Sequence, residues 1–429
     1  DAPFLIQGLA SKNWRSQMDA VRGLQRAVQA GAQLPPEAYD AVAAVMGCEI
    51  INAADAASQF CQAIRNSESL RAVLNAAETG GGDADADRAW RTRAYALRTI
   101  YHLGWPVTRD SLPVVIRQLG DRTVNVTNES KRILNTLRKE HQMSQADLFP
   151  LLLTELEKAK PLPLRAGIME EMGGHVDRQY ASRVAKAAAE TLKAAADDKP
   201  QWAARAHAVN LLRLSGYTGV MDLIAGCVAD DVSNPRQMAG PALEELAPLC
   251  TPEQRALVAP ILLPLLSKPV DWHKTAVAAQ SVGQYATADC VEPLVLLLSH
   301  SVLNVREGAS HSLVLIAGRG DEALAAKVDG AIYSELAGNQ RAWEYGAPVL
   351  GALEQLKAIR QLTTILERGD WRAQASAAEA AARIAAVHKI SDKALSDALI
   401  GAAQSKVLQT QDSANKALRA LNRDGSDKE

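Results

Sequence analysis

The sequence predicts an all-α chain built of successive helix pairs. Three observations predict it. First, alanine is abundant and aromatic residues make up only 4% of a chain that is 48% hydrophobic, a balance that favours helix over sheet. Second, a proline, a leucine-rich helix, a polar turn and an apolar anchor recur in that order. Third, tryptophans recur in step with the anchor. A chain of 429 residues is long for one ordinary globular core, so a repetitive architecture suits it.

The repeat is clearest in two stretches. Residues 260–276 read PILLPLLSKPVDWHKTA, and residues 293–309 read PLVLLLSHSVLNVREGA. Proline and anchor are equally spaced in both, Pro260 with Trp272 and Pro293 with Val305. Pro113 with Val126 repeats the arrangement, and the segment from Pro150 follows it more loosely. Trp14, Trp90, Trp202, Trp272, Trp343 and Trp371 fall near multiples of a unit of about 35–38 residues, the last gap being one compressed unit. Alanine stands four residues after five of them (Ala94, Ala206, Ala276, Ala347, Ala375), and Met18 follows Trp14. Apolar residues follow again seven and ten positions on, as in Val209 and Leu212. That spacing draws one apolar stripe along one helical face, opened by the tryptophan.

The elements follow in order. First helices are expected near 2–10, 36–48, 67–78, 108–120, 144–158, 177–196, 217–229, 252–267, 287–300, 321–337, 357–367 and 391–404, each followed by its partner after a short turn. Asn13, Asp271 and Asp370 each precede a tryptophan and can cap the second helix. Pro35, Pro36, Pro106, Pro200, Pro252 and Pro269 fall at boundaries. The second and third units, 36–103, carry the pattern weakly, and residues 79–88 read as a flexible acidic, glycine-rich loop inside the third. Residues 423–429 read as a disordered polar tail.

This pattern resembles the HEAT-repeat family over nearly the whole chain. LNVREGASHSL (303–313) carries the resemblance best, and DWRAQASAA (370–378) and AWRTRAYAL (89–97) match with tryptophan in place of valine. The resemblance implies a single right-handed α–α superhelix, a HEAT-like solenoid of about twelve helix pairs over 1–429. Intra-repeat turns would line one edge and second helices the concave face. One pair cannot bury its apolar face alone, so neighbours stack into a continuous core.

Chemistry is sparse. GxxxxGK[ST], GxSxG, HExxH and paired CxxC motifs do not occur, and the eight histidines show no i, i+4 ligand pair. His300 and His311 fall on consecutive elements and could meet in space, where a solvated or capping role is expected over a metal one. Charges nearly cancel, 47 basic against 49 acidic, so no global pull on nucleic acid is expected. Five cysteines with wide spacing, Cys48, Cys61, Cys227, Cys250 and Cys290, read as free thiols of a reducing, cytoplasmic compartment. A leader removed before Asp1 is compatible with this. No apolar run approaches the roughly 20 residues that span a bilayer. The sequons at Asn125 and Asn128 straddle Val126, an expected core anchor, and are read as coincidental. No cofactor, metal or small-molecule substrate is expected. An enzyme on a HEAT-like scaffold is the alternative: deoxyhypusine hydroxylases resemble this architecture but carry His-Glu dipeptides, absent here, and HEAT-like DNA glycosylases use a basic groove.

The turns are the informative surface, because most join a basic residue to a tryptophan. The candidate protein-binding ridge is Lys12, Trp14, Arg15, Trp90, Arg91, Arg93, Lys268, His273, Lys274 and Arg372. Tryptophan and arginine are typical of interface hot spots. Structural packing is the competing role for each indole, and Trp14, with no preceding unit, is the one expected to be most exposed. SKNWRSQMDAVRGLQRAVQAG (11–31) also resembles the opening of TOG domains, HEAT arrays that bind tubulin through their turns. That resemblance implies Trp14, Lys12 and Arg15 on tubulin. The expectation is a non-catalytic protein-binding scaffold, with a TOG-like microtubule regulator as the finer alternative.

Overall fold

The structure, a computed structural model, describes residues 2–80, 86–104, 107–140, 143–174 and 176–422. Among these residues every regular element is helical. The chain forms two compact units, Asp1–Ser215 and Gly216–Glu429.

Unit 1 contains α1 (Ala2–Leu9), α2 (Trp14–Gln29), α3 (Pro36–Val45), α4 (Ile51–Ile64), α5 (Ser67–Thr79), α6 (Ala86–His102), α7 (Val107–Asp110), α8 (Leu112–Arg117), α9 (Val124–Glu140), α10 (Gln145–Lys158), α11 (Leu162–Met172), α12 (Ala181–Ala195) and α13 (Trp202–Ser215). Unit 2 contains α14 (Met221–Gly226), α15 (Ser233–Leu246), α16 (Pro252–Ala256), α17 (Ala259–Ser267), α18 (Trp272–Ser281), α19 (Ala288–Leu297), α20 (Leu303–Gly318), α21 (Glu322–Gly338), α22 (Trp343–Leu353), α23 (Ile359–Arg368), α24 (Trp371–Val387), α25 (Lys393–Ala403) and α26 (Leu408–Asn422). Short 3₁₀ turns extend several of them.

The helices pair as the periodicity predicts, six pairs to each unit. Within unit 1, α1, α3, α5, α8, α10 and α12 pack in succession as first helices, and α2, α4, α6 and α9 do so as second helices. Within unit 2, α15, α18, α20, α22, α24 and α26 form the row of second helices. Of the loop expected over 79–88, Thr79 closes α5 and Ala86 opens α6, and 81–85 lie outside the described residues, as does the expected tail at 423–429.

The apolar stripe lands in the core. The residue seven positions after each of the six tryptophans (Val21, Leu97, Val209, Ala279, Leu350, Ala378) is fully buried. The predicted caps hold too. Asn13 Oδ1 accepts the Arg15 amide at 2.9 Å, Asp271 Oδ1 that of His273 at 2.9 Å, and Asp370 Oδ1 those of Arg372 and Ala373 at 3.0 and 2.9 Å. His300 is likewise a cap, its Nδ1 facing the Val302 amide at 3.1 Å. Of the prolines of the repeat, Pro150 and Pro293 sit inside first helices, and Pro260 and Pro113 in the first turn of theirs.

One equivalence from the sequence needs correction. Val305 and Val126 are the third residues of α20 and α9 and are fully buried. Trp272 is the first residue of α18 and 39% exposed. Tryptophan therefore does not replace valine in the core; it stands one half-turn earlier, at the rim. AWRTRAYAL departs further, because α6 starts at Ala86 and Trp90 lies a full turn inside the helix.

What joins the two helices of a repeat is a side chain at the fourth position of the second helix. It reaches back to the C-terminal carbonyls of the first. In unit 1, Gln17 Nε2 donates to Leu9 O (3.2 Å), Thr127 Oγ1 to Asp121 O (3.1 Å), Arg165 Nη1 to Ala159 O (2.9 Å) and Arg205 Nη1 to Ala195 O (3.0 Å) and Asp198 O (2.5 Å). In unit 2, Arg236 Nη1 donates to Asp230 O (2.6 Å), Thr275 Oγ1 to Leu265 O (3.1 Å), Arg306 Nη1 to His300 O (2.7 Å) and Gln374 Nε2 to Leu366 O (2.9 Å). These carbonyls lie at the end of the first helix or in the turn just past it, where the helix runs out of amide donors. Arg165, Arg205 and Arg236 are buried while doing so. Burial pulls the Arg165 guanidinium below its ordinary pKa, with Glu190 opposing, yet a guanidinium stays charged. Repeats two and three carry Ala54 and Ala89 at this position, which is where the sequence pattern is weak.

Adjacent repeats are tied by close packing and ion pairs. A Cβ on Gly308 of α20 would stand 2.9 Å from Ala276 O and Gln280 N of α18, so glycine sets that helix separation. Arg93 holds Asp121 in a forked pair at 2.6 and 3.3 Å, and Arg138 holds Glu171 at 2.8 Å.

Arg205→Met removes the buried donor and strands its carbonyls. The expected cost is about 2–4 kcal/mol of unfolding free energy, read from urea denaturation. A cost below about 0.5 kcal/mol would show that the intra-repeat bond is dispensable.

Candidate protein-binding surface

Three repeats share a five-residue cassette at the turn: an Asx cap, a tryptophan, a cationic or aromatic neighbour, a spacer and the buried donor. It reads Asn13-Trp14-Arg15-Ser16-Gln17 in unit 1, and Asp271-Trp272-His273-Lys274-Thr275 and Asp370-Trp371-Arg372-Ala373-Gln374 in unit 2. The geometry follows from the register. The cap ties the amide of the third residue, and the donor ties the fifth residue inward. The tryptophan between them is left at the rim, and the third side chain lies across it.

Arg15 Cζ sits 5.2 Å from the Trp14 ring centroid and Arg372 Cζ 4.8 Å from that of Trp371, both within cation–π range. The His273 imidazole stacks on Trp272 with centroids 3.5 Å apart and planes 26° apart. Asp271 faces that imidazole, Oδ1 to Nδ1 at 3.3 Å. Against the desolvation of partial burial, hydrogen bonds from the His273 and Lys274 amides and the His273 ring hold the Asp271 carboxyl below its ordinary range.

The candidate residues divide into two groups. Lys12, Arg15, Lys268, His273 and Arg372 are exposed, beside Trp14, Trp272 and Trp371 at the rims. Arg91 lies 5.3 Å from the half-buried Trp90 ring and 3.5 Å from Glu49. Arg93 and Lys274 are committed to neighbouring repeats, Arg93 to Asp121 and Lys274 to Asp231 at 2.7 Å. Those two read as basic turn residues in the sequence because their acidic partners lie about one repeat away.

Tryptophan exposure also corrects an expectation. Trp14 is half-buried, while Trp202, Trp272 and Trp371 are 37%, 39% and 38% exposed. Trp272 and Trp371 have neighbouring repeats on both sides in unit 2, so a missing neighbour is not what exposes an indole. Trp343 is the opposite case. It is 6% exposed and its Nε1–H donates to Leu336 O at 2.7 Å, in keeping with the packing role.

Two further features bear on function. In unit 2, a groove of about 410 Å³ lies over α15, α18 and α20, with Glu244 and Glu307 as its carboxylates and no aromatic ring in its lining. The cysteines are free thiols; four are buried and Cys48 is partly so. Burial pushes the Cys61 thiol up to about 11, with Ser69 opposing. Among the described residues no helix is long and apolar enough to cross a membrane, and no group of three His, Cys, Asp or Glu is placed to hold a metal.

No family model matches the sequence, and no curated protein does. Solved structures do. Two mutant forms of Kap121p each align over 98% of this chain and 49% of their own, at 13% identity and a TM-score of 0.50. This chain thus spans about half the length of that protein. The likeness concerns the fold, and it agrees with the paired, successively stacked helices of both units. The chain is a HEAT/armadillo-type α-solenoid. At that identity the solenoid's resemblance to Kap121p extends to architecture alone.

Trp343→Ala should cost the solenoid about 3–5 kcal/mol, since it removes a buried indole and strands a carbonyl. Trp371→Ala should cost no more than about 1.5 kcal/mol, because its indole already faces solvent. Chemical denaturation of both variants checks this. Equal losses would make Trp371 a packing residue and remove it from the candidate surface.

Proposed function

We propose that this solenoid is a non-catalytic binding scaffold that holds a protein partner along its turn edge. The observation that carries the reading is the cassette. Three turns present an indole at the rim with a cation or imidazole laid across it, and each is fixed from both sides by backbone hydrogen bonds. An indole with a cation or imidazole already laid across it is partly ordered before any partner arrives, which lowers the ordering cost of binding. Tryptophan and arginine are the side chains whose truncation most often costs binding energy. The groove over α15, α18 and α20 joins two carboxylates to no aromatic platform, so we assign it no reaction.

The finer reading, a tubulin-directed scaffold of TOG type, rests on the first turn. There Lys12 and Arg15 are exposed beside Trp14, as the resemblance of residues 11–31 implies.

Affinity capture on the intact protein, followed by binding measurements on each recovered partner, tests both readings. The triple variant Trp14→Ala, Trp272→Ala, Trp371→Ala should retain its helical content and lose at least about tenfold in affinity. Partners bound equally by wild type and variant would remove the turn edge as the binding surface. Microtubule co-sedimentation is the separate arm. Pelleting of wild type that is lost in Lys12→Glu, Trp14→Glu supports the tubulin reading, and no pelleting of wild type removes it.

A further inference from the structure

The tenth repeat departs from its neighbours in unit 2. Its tryptophan is drawn inward, and the turn edge it would occupy is open. In the row of first helices, α17 packs on α19, α19 on α21, and α23 on α25, whereas α21 and α23 meet more loosely, with a 3₁₀ turn at Leu356–Ala358 between them. The opening is a groove of about 760 Å³, with Tyr333 on the α21 wall, Trp343 at the turn, Lys357 in the 3₁₀ turn, and Arg360, Gln361 and Arg368 along the α23 wall.

The lining contains three cations and no carboxylate. One cation is already spent. Lys357 Nζ is paired with Asp329 and stands 5.3 Å from the Tyr333 ring centroid. Arg360 and Arg368 are exposed and have no ion-pair partner among the described residues. The nearby Glu335 carboxylate accepts a hydrogen bond from Asn339 Nδ2 at 3.3 Å. The Tyr333 hydroxyl is buried and has no hydrogen-bond partner among the described residues, an unusual state for a buried polar atom.

We propose that this groove binds an acidic, carboxylate-rich segment of a partner protein in extended conformation. Spacing decides the chemistry. Arg360 and Arg368 stand eight residues apart on α23, about 12 Å along the axis at roughly 1.5 Å per residue. An extended chain advances roughly 3.3 Å per residue, so same-side carboxylates four residues apart are about 13 Å apart. The two guanidinium groups therefore match two separate acidic side chains on one extended segment. A single phosphate would engage only one of them, because the cations are strung along the groove. Gln361 and Thr364, the other polar residues of the α23 wall, are uncharged. This site goes beyond the turn-edge reading and uses none of its cassettes, so either can fail without the other.

Fluorescence anisotropy with three labelled nine-residue peptides tests the proposal on the full-length protein. One carries glutamate at alternate positions, the second the same glutamates as one contiguous block, and the third glutamine in place of each glutamate. The alternating peptide should bind in a salt-sensitive way, at least about threefold tighter than the block isomer, and the glutamine peptide should not bind. Arg360→Glu, Arg368→Glu should lose at least about tenfold, and the milder Arg360→Gln, Arg368→Gln pair should lose in the same direction. Trp371→Ala should leave peptide binding unchanged. Equal binding of the glutamate and glutamine peptides, or full affinity in both double variants, overturns the proposal. So does tighter binding of a singly phosphorylated serine peptide, which would indicate recognition of a point charge.

Discussion

The bond from the fourth residue of the second helix back to the carbonyl end of the first, made in eight of the repeats, is the constraint on which the rest of the structure depends. A helix pair leaves a set of unsatisfied carbonyls at the end of its first member, and the intra-repeat turn is too short to satisfy them. The donor that does so must sit one turn into the second helix, because only that position faces back across the turn. Arginine fills it at Arg165, Arg205, Arg236 and Arg306. A cation in the first turn of a helix is disfavoured by that helix's own dipole. The negative end of the preceding helix reverses the balance, so the residue is stabilised only when both helices are in place. Glutamine and threonine meet the same geometric demand without the charge at Gln17, Thr275 and Gln374. Folding of the second helix is thereby coupled to that of the first, repeat by repeat.

This register also decides what each turn shows to solvent. With the cap holding one side and the donor the other, the residue between them can point only outward along the rim. Tryptophan at that position in Trp14, Trp272 and Trp371 is neither core nor free surface. It is a platform on a backbone held by side-chain hydrogen bonds at both ends of the cassette. Other repeats place the indole differently. Trp343, with Gly346 at the donor position, lies in the core, whereas Trp202, which also follows a 3₁₀ turn but has Arg205 as donor, stays 37% exposed. Where α6 begins a turn early, Trp90 lies within the helix and Arg93 pairs with the next repeat.

The helix pairs were legible from periodicity, because proline placement, caps and the apolar stripe are local and repeat. The first-helix boundaries fall close to the observed ones for the same reason, from Pro36 of α3 to Lys393 of α25. Two things were not legible. The depth of a tryptophan depends on where its helix starts to within one residue, and apolar spacing does not fix a start that finely. That is why Trp272 was equated with the buried Val305. The freedom of a basic turn residue depends on its acidic partner in the adjacent repeat, as Lys274 with Asp231 and Arg93 with Asp121 show. Such partners become visible only once the stacking is known. The recurrent donor had a faint trace in the sequence, the arginine after Val305, but its equivalents Gln17, Thr275 and Gln374 share no chemistry beyond an N–H or O–H, so no residue-type pattern exposes them.

The tenth repeat shows how a structural demand can create a binding feature. Its fourth position is Gly346, and a Cβ there would stand 2.5 Å from the Leu336 side chain. This position therefore carries no side-chain donor of the kind eight other repeats keep there, and the Leu336 side chain would have to shift to admit one. The orphaned carbonyl remains, and the indole of Trp343 supplies the missing N–H to Leu336 O. Satisfying that carbonyl withdraws the tryptophan from the rim. The turn edge is vacated, and the looser packing of α21 against α23 leaves a groove with Arg360 and Arg368 along its wall. The repeat that lacks a side-chain donor thus carries a cationic groove where the next repeat carries the Trp371 platform.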